Sequence, residues 1–230
     1  MREIYYKYRG VKDLNRLANI LKNNTLWASK YKELNDPMEW FFICKDEQFD
    51  QKILDEYKGD VRICSLSKSF NYGLMWAMYA DEHRGICLEV EIDDSENCKE
   101  KSSLSDKYWT KYTVEYKNEP AEIKKNYPSL DEVLGVKSPQ WIHEQEVRFV
   151  KKTTEEKCFL KVNIKKVYLG VRTSDETKSI IYGMKACFDL KFDIIDLASL
   201  GVNNLGVNFW KDYKGNNFSI DTTTNNKIGF

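Results

Sequence analysis

What this chain lacks narrows its chemistry first. It has two histidines and six cysteines in 230 residues, with no CxxC pair and no zinc-ligand spacing, so a structural metal is not expected. There is no glycine-rich dinucleotide loop, no phosphate-cradling P-loop, no GxSxG elbow and no HExxH helix. No apolar run approaches the roughly 20 residues of a membrane span. The opening Met1-Arg-Glu-Ile-Tyr-Tyr-Lys-Tyr-Arg9 has no apolar centre of the signal-peptide kind, so no membrane partner and a cytoplasmic location are expected. Neither charge is in excess. Thirty-six basic and 36 acidic residues cancel, which gives no global pull toward nucleic acid or anionic lipid. The short basic pairs Lys151-Lys152 and Lys165-Lys166 read as solvated strand ends.

The composition is 42% hydrophobic and 13% aromatic, enough for a true core and against global disorder. One α+β domain over residues 1–230 suits the length. The cysteines at 44, 64, 87, 98, 158 and 187 lie largely in apolar strand contexts and are expected to be free, mostly buried thiols.

Periodicity supplies the elements. Ile4–Arg9 is β-prone, with Tyr6 and Tyr8 on one face and Lys7 and Arg9 on the other. Leu14, Leu17, Ala18 and Leu21 mark a helix closing at Asn23-Asn24. Strands are expected at 25–29 and 61–67, helices around 49–57 and 74–79, and a turn at 34–39. Residues 86–92 alternate, with Ile86, Leu88, Val90 and Ile92 inward and Cys87, Glu89 and Glu91 outward. Residues 93–108 read as an exposed loop and 118–139 as a charged excursion that covers a site or decorates the surface. Further strands follow at 113–117, 145–151, 158–164 and 166–170. Thr173-Ser-Asp-Glu176 reads as a capping box for a helix bearing Ile180, Ile181, Met184 and Phe188. Phe192–Leu197 closes a strand–helix–strand unit, and the Asn- and Thr-rich residues 200–230 read as irregular. The expected fold is therefore α+β, with a mixed, mainly antiparallel sheet flanked by helices.

The segment Trp141-Ile-His-Glu-Gln-Glu-Val-Arg148 is the most informative. Read as a strand, it places Glu144, Glu146 and Arg148 on one face, with Val147 and Phe149 turned to a core. Two carboxylates and a guanidinium on one face meet solvent or line a polar pocket, because charges are rarely buried alone. Three other segments carry polar and aromatic groups together: Lys7-Tyr8-Arg9, Asn35-Asp36-Pro37 with Glu39 beyond, and Ser65-Leu-Ser67 running to Trp76, Tyr79 and His83. Each has a bland reading, as core aromatics, a turn or a surface ladder pair. His143 on its own reads as a polar side chain facing solvent.

Together these segments give the chain a family resemblance. Lys7-Tyr8-Arg9, L-W-A-S at 26–29, L-N-D-P-x-E at 34–39, S-L-S at 65–67, L-M-W-x-x-Y-A-D-x-H-x-G-I-C-L-E at 74–89 and W-x-x-E-x-E-V-R at 141–148 resemble a bacterial family, domain of unknown function 2971, over residues 4–170. Members often carry His where this chain has Met78. The motif order is also similar to ADP-ribosyltransferase folds, whose sheet is split. That similarity has a basic residue on an early strand, then S-x-S, then E-x-E. It implies NAD as substrate, with Lys7, Tyr8, Arg9, Ser65, Ser67, Trp76 and Tyr79 as binding residues and Glu146 and Glu144 as catalytic carboxylates. Asn35, Asp36, Glu39, His83 and Arg148 would support them, and the setting would be a bacterial toxin or phage defence. Cations suit a pyrophosphate, rings suit a nicotinamide, and a carboxylate suits an oxocarbenium-like state.

Two alternatives stay open. Asp36, Glu39, Glu144 and Glu146 are hard oxygen ligands suited to Mg²⁺ in a nuclease or other phosphate-processing enzyme. A polar groove in a non-catalytic sensor or binding module is the other.

Overall fold

Alternating tyrosines and cations make the first strand, β1 (Arg2–Arg9), and it lies near the centre of the sheet. A computed structural model describes residues 2–36, 42–44, 58–93, 98–100, 104, 106–123 and 133–199. The helix expected around 49–57, the tail after 200 and Glu39 lie outside the described residues.

Asp13 caps the next helix, α1 (Leu14–Asn23), by accepting from the Arg16 backbone N–H. Asn24 ends it in the left-handed conformation at φ 51°. Leu17, Ile20 and Leu21 are its buried face. Two short strands follow, β2 (Thr25–Trp27) and β3 (Ser29–Lys30), then a 3-10 turn at Tyr31–Glu33 and β4 (Phe42–Cys44). The run continues with β5 (Val61–Ser67), α2 (Gly73–Tyr79), β6 (Ile86–Asp93), β7 (Cys98–Glu100), β8 (Trp109–Thr113), β9 (Glu115–Tyr116), β10 (Ala121–Ile123) and β11 (Val136–Lys137). A 3-10 turn at Pro139–Glu144 leads into β12 (Glu146–Lys152), β13 (Phe159–Lys161) and β14 (Asn163–Leu169). The described chain closes with α3 (Asp175–Cys187) and β15 (Asp193–Asp196).

Among the described residues the main sheet has nine strands in the order β15-β14-β6-β1-β5-β12-β8-β7, with β3 beside β5. Pairing is antiparallel except at β14–β15 and β7–β8. This is the α+β class with a mixed, mostly antiparallel sheet. Leu17, Ile20 and Leu21 of α1 and Ile181 of α3 pack with Tyr5, Leu88, Val90, Val147 and Phe149. In a second cluster Trp76 of α2 meets Tyr8, Cys87 and Tyr168.

Several expectations shift. Cys87 and Glu89 face away from the first core yet are buried, because Trp76, Tyr72 and Tyr168 cover that side of the strand. The loop expected over 93–108 contains β7, and the strand expected over 113–117 breaks at Val114 into the end of β8 and β9. The cap of α3 is Ser174, one residue later than a box starting at Thr173, and it accepts from the Thr177 backbone N–H. Its Ile181 is buried while Ile180 and Phe188 are exposed.

The strand expected through 141–148 begins only at Glu146. Proline at position 139 opens a 3-10 turn, and Gln145 ends it in the left-handed conformation at φ 44°. That backbone costs a non-glycine residue roughly 1–2 kcal/mol.

Candidate active site

β1 and β5 are registered at one pair, Tyr6 with Ser67. Beyond it the ladder stops, and a cavity of about 300 Å³ opens between the two strands. Lys7, Tyr8, Arg9 and Gly10 line it from one side, and Ile63, Ser65, Leu66 and Ser67 from the other. The Lys7 Nζ donates to the Ser65 carbonyl at 2.6 Å, partnering a backbone acceptor where the ladder has ended. Burial pushes the Lys7 ammonium below its ordinary value.

Ser67 pairs onward to Glu146, and Ser65 to Arg148, across β5 and β12. Tyr6, Ser67 and Glu146 therefore form one row over three adjacent strands. Glu146 Oε1 accepts from Arg148 Nε at 2.9 Å and Oε2 from Arg148 Nη2 at 2.8 Å. The Arg148 Nη1 donates to the Leu134 carbonyl at 2.9 Å, and the residue is fully buried. Arg148 holds the carboxylate from behind and does not line the cavity.

Glu144 reaches the same cavity by a different route. The left-handed Gln145 stands between the two carboxylates, so they face the cavity through a kink rather than strand alternation. Glu144 Oε1 accepts from the Tyr79 hydroxyl at 2.5 Å and Oε2 from Lys137 Nζ at 2.5 Å. Lys137 Nζ also reaches Glu146 Oε2 at 3.2 Å and lies 4.8 Å from the centre of the Trp141 ring. One buried ammonium thus joins both carboxylates. The backbone N–H of Glu146 donates to the Tyr116 hydroxyl at 2.8 Å, fixing the start of the strand.

Burial alone would push the Glu146 carboxyl up, but the charges of Arg148 and Lys137 outweigh it and hold the group well below the carboxylate range. It is ionised at neutral pH. Burial and the adjacent Glu144 push the Tyr79 phenol up, so it stays a donor.

Most of the residues singled out from sequence meet here. Lys7, Tyr8, Arg9, Asn35, Ser65, Ser67, Tyr79, Glu144 and Glu146 all line the cavity. Trp76 does not. It lies three residues before Tyr79, which on a helix leaves the two side chains about 60° apart. Its indole is fully buried against Tyr8, donating to the Phe70 carbonyl at 2.7 Å. His83 sits in the turn after α2 at φ 69°, stacked near Trp76 and away from the cavity. Asp36 is buried but outside the cavity lining. His143 is buried rather than superficial, and among the described residues its Nε2 has no hydrogen-bond partner.

Sequence reading missed Lys137, Arg16, Trp27 and Glu33, which also line the cavity. Lys137 comes from the excursion at 118–139, which thereby contributes to the site. No periodic signal marks a lone lysine in such a segment.

The comparison with known families bears on this half of the cavity. Residues 75–149 match the family model described as Protein of unknown function (DUF2971). The matched stretch holds Tyr79, Lys137, Glu144, Glu146 and Arg148, while Lys7, Arg9 and Arg16 precede it. No curated protein and no solved structure matches the chain. Among the described residues no helix is long and apolar enough to cross a membrane, and no group of three or more His, Cys, Asp or Glu is placed to hold a metal ion.

Proposed function

We propose that the protein binds NAD in this cavity and cleaves the nicotinamide–ribose bond, as an ADP-ribosyltransferase or NAD glycohydrolase. One observation carries the reading: Arg9 and Glu146, far apart in sequence, line the same cavity at the split between β1 and β5. Cleavage of that bond builds positive charge on the ribose, and an ionised carboxylate beside it lowers the barrier. Glu146 is held ionised by Arg148 and Lys137. Lys7 and Arg9 supply positive charge for the phosphates, and the Tyr79 ring offers an aromatic wall for the nicotinamide. Glu144, joined to Tyr79 and Lys137, orients the acceptor in this reading. An activity of this kind suits a bacterial toxin or a phage-defence protein.

A metal-dependent nuclease would need an acidic face open to a cation. Here the carboxylates of Glu144 and Glu146 are already engaged by Lys137, Arg148 and Tyr79.

The test is incubation of purified protein with NAD, with and without cell lysate and without added metal, following nicotinamide release and ADP-ribose transfer. Nicotinamide release that Glu146→Gln abolishes is the expected result. Neither NAD loss nor modification across several pH values overturns the proposal. Activity appearing only with Mg²⁺ or Mn²⁺ on nucleic acid assigns the site to phosphodiester chemistry instead.

A further inference from the structure

The charges around the cavity divide into two groups. On the β12 side, Lys137 and Arg148 meet Glu144 and Glu146, and the four cancel. The rest of the cavity wall carries Lys7, Arg9, Arg16 and Glu33. Glu33 accepts from the Lys30 backbone N–H at 3.0 Å, and among the described residues neither Arg9 nor Arg16 has a carboxylate within ion-pair distance.

The two guanidinium groups also bear on each other. Burial lowers the affinity of Arg9 for its proton, and the Arg16 charge lowers it further. The Arg9 Nε is buried and, among the described residues, has no hydrogen-bond partner. An unpaired buried donor is destabilising, and two like charges at one place destabilise the fold further. An anion between the two guanidinium groups relieves their mutual repulsion. The planar fork of arginine matches phosphoryl oxygens two at a time, which a lysine at the same place does not.

We propose that Arg9 of β1 and Arg16 of α1 form a two-guanidinium site for a diphosphate group, with Arg16 setting the preference for diphosphate over a single phosphate. The assignment builds on the NAD reading by naming the residue that selects a diphosphate-bearing nucleotide over one with a single phosphate. It places Arg16, which lies on a helix outside every motif named above, in the binding site.

The experiment is titration calorimetry of the full chain with inorganic pyrophosphate, orthophosphate, ADP and AMP, with no turnover involved. Pyrophosphate or ADP is expected to bind at least about tenfold more tightly than orthophosphate or AMP. Arg16 is exposed, so Arg16→Ala should fold normally, checked by its melting temperature, and should lose about tenfold in diphosphate affinity while binding of the monophosphates changes less. Arg16→Lys keeps the charge without the fork and should recover only part of the loss. Binding of ADP at least as tight as pyrophosphate assigns the site to a nucleotide; pyrophosphate binding without ADP assigns it to the free ion. Equal affinity for mono- and diphosphates, or an unchanged Arg16→Ala, overturns the proposal. NAD cleavage without diphosphate selectivity would sink this site and leave the activity standing. Diphosphate selectivity without NAD cleavage would do the reverse.

Discussion

Arg148 grips Glu146 through both carboxylate oxygens, at 2.9 and 2.8 Å, from a position with no exposure to solvent. The two residues lie two apart on β12, so strand geometry puts them on one face. Burial then makes their pairing obligatory, since either charge alone would be strongly unfavourable there. The consequence is a carboxylate that is fixed in place as well as ionised.

Glu146→Gln removes the charge on which the proposed chemistry depends, and NAD turnover is expected to fall about 10²–10³-fold. It also leaves the buried Arg148 without its counter-charge, while Lys137 keeps Glu144, so the melting temperature should drop. Breaking a buried pair costs about 3–5 kcal/mol. The double variant Glu146→Gln/Arg148→Met should regain part of that stability and none of the activity. A double variant no more stable than the single one would show that the pair is not the source of the loss.

Tyr79→Phe keeps the ring and deletes the hydroxyl that donates to Glu144. A hydrogen bond to a charged group contributes about 1.5–3 kcal/mol, so kcat is expected to fall about tenfold with KM little changed. Steady-state kinetics beside a melting curve checks this. Unchanged kcat would assign Tyr79 to packing.

Acid should weaken the fold through Glu146. Its folded value lies below the ordinary 4.5, so the stabilisation is fully present above that value and is lost as pH falls through the depressed one. Melting temperatures between about pH 2 and 7 should decline at the acid end for the native protein. The curve for Glu146→Gln/Arg148→Met should be flatter. Parallel curves would contradict the pairing.

Gly85 closes the turn after α2 against the end of β1. A Cβ there would lie 2.2 Å from the Arg9 carbonyl oxygen and 2.8 Å from that of Ala80. Both obstacles are backbone, so the chain must move. Gly85→Ala is expected to cost about 1–3 kcal/mol in stability, as overpacking does, measured by denaturant unfolding. It should also weaken diphosphate binding, because the shift displaces Arg9. An unperturbed melting curve would show that the turn relaxes freely.

Local pattern carried much of the fold. β-prone runs announced β1, β5 and the body of β12, alternation announced β6, and the apolar stripe of α1 with its Asn24 terminus was legible because 3.6- and 2-residue periods are local properties. The polar segments at 7–9, 65–67 and 144–148 could be marked as chemistry-bearing from residue type alone. Their meeting in one cavity could not, since it depends on β1, β5 and β12 becoming neighbours and on the β1–β5 ladder ending after Tyr6 and Ser67. Nor could the kink at Gln145, where a non-glycine residue takes a left-handed backbone between two glutamates. Lys137 and Arg16 became part of the site only through long-range packing. A lone cation in an irregular segment or on a helix looks the same in sequence whether it faces water or a buried carboxylate, and only the tertiary structure decides which.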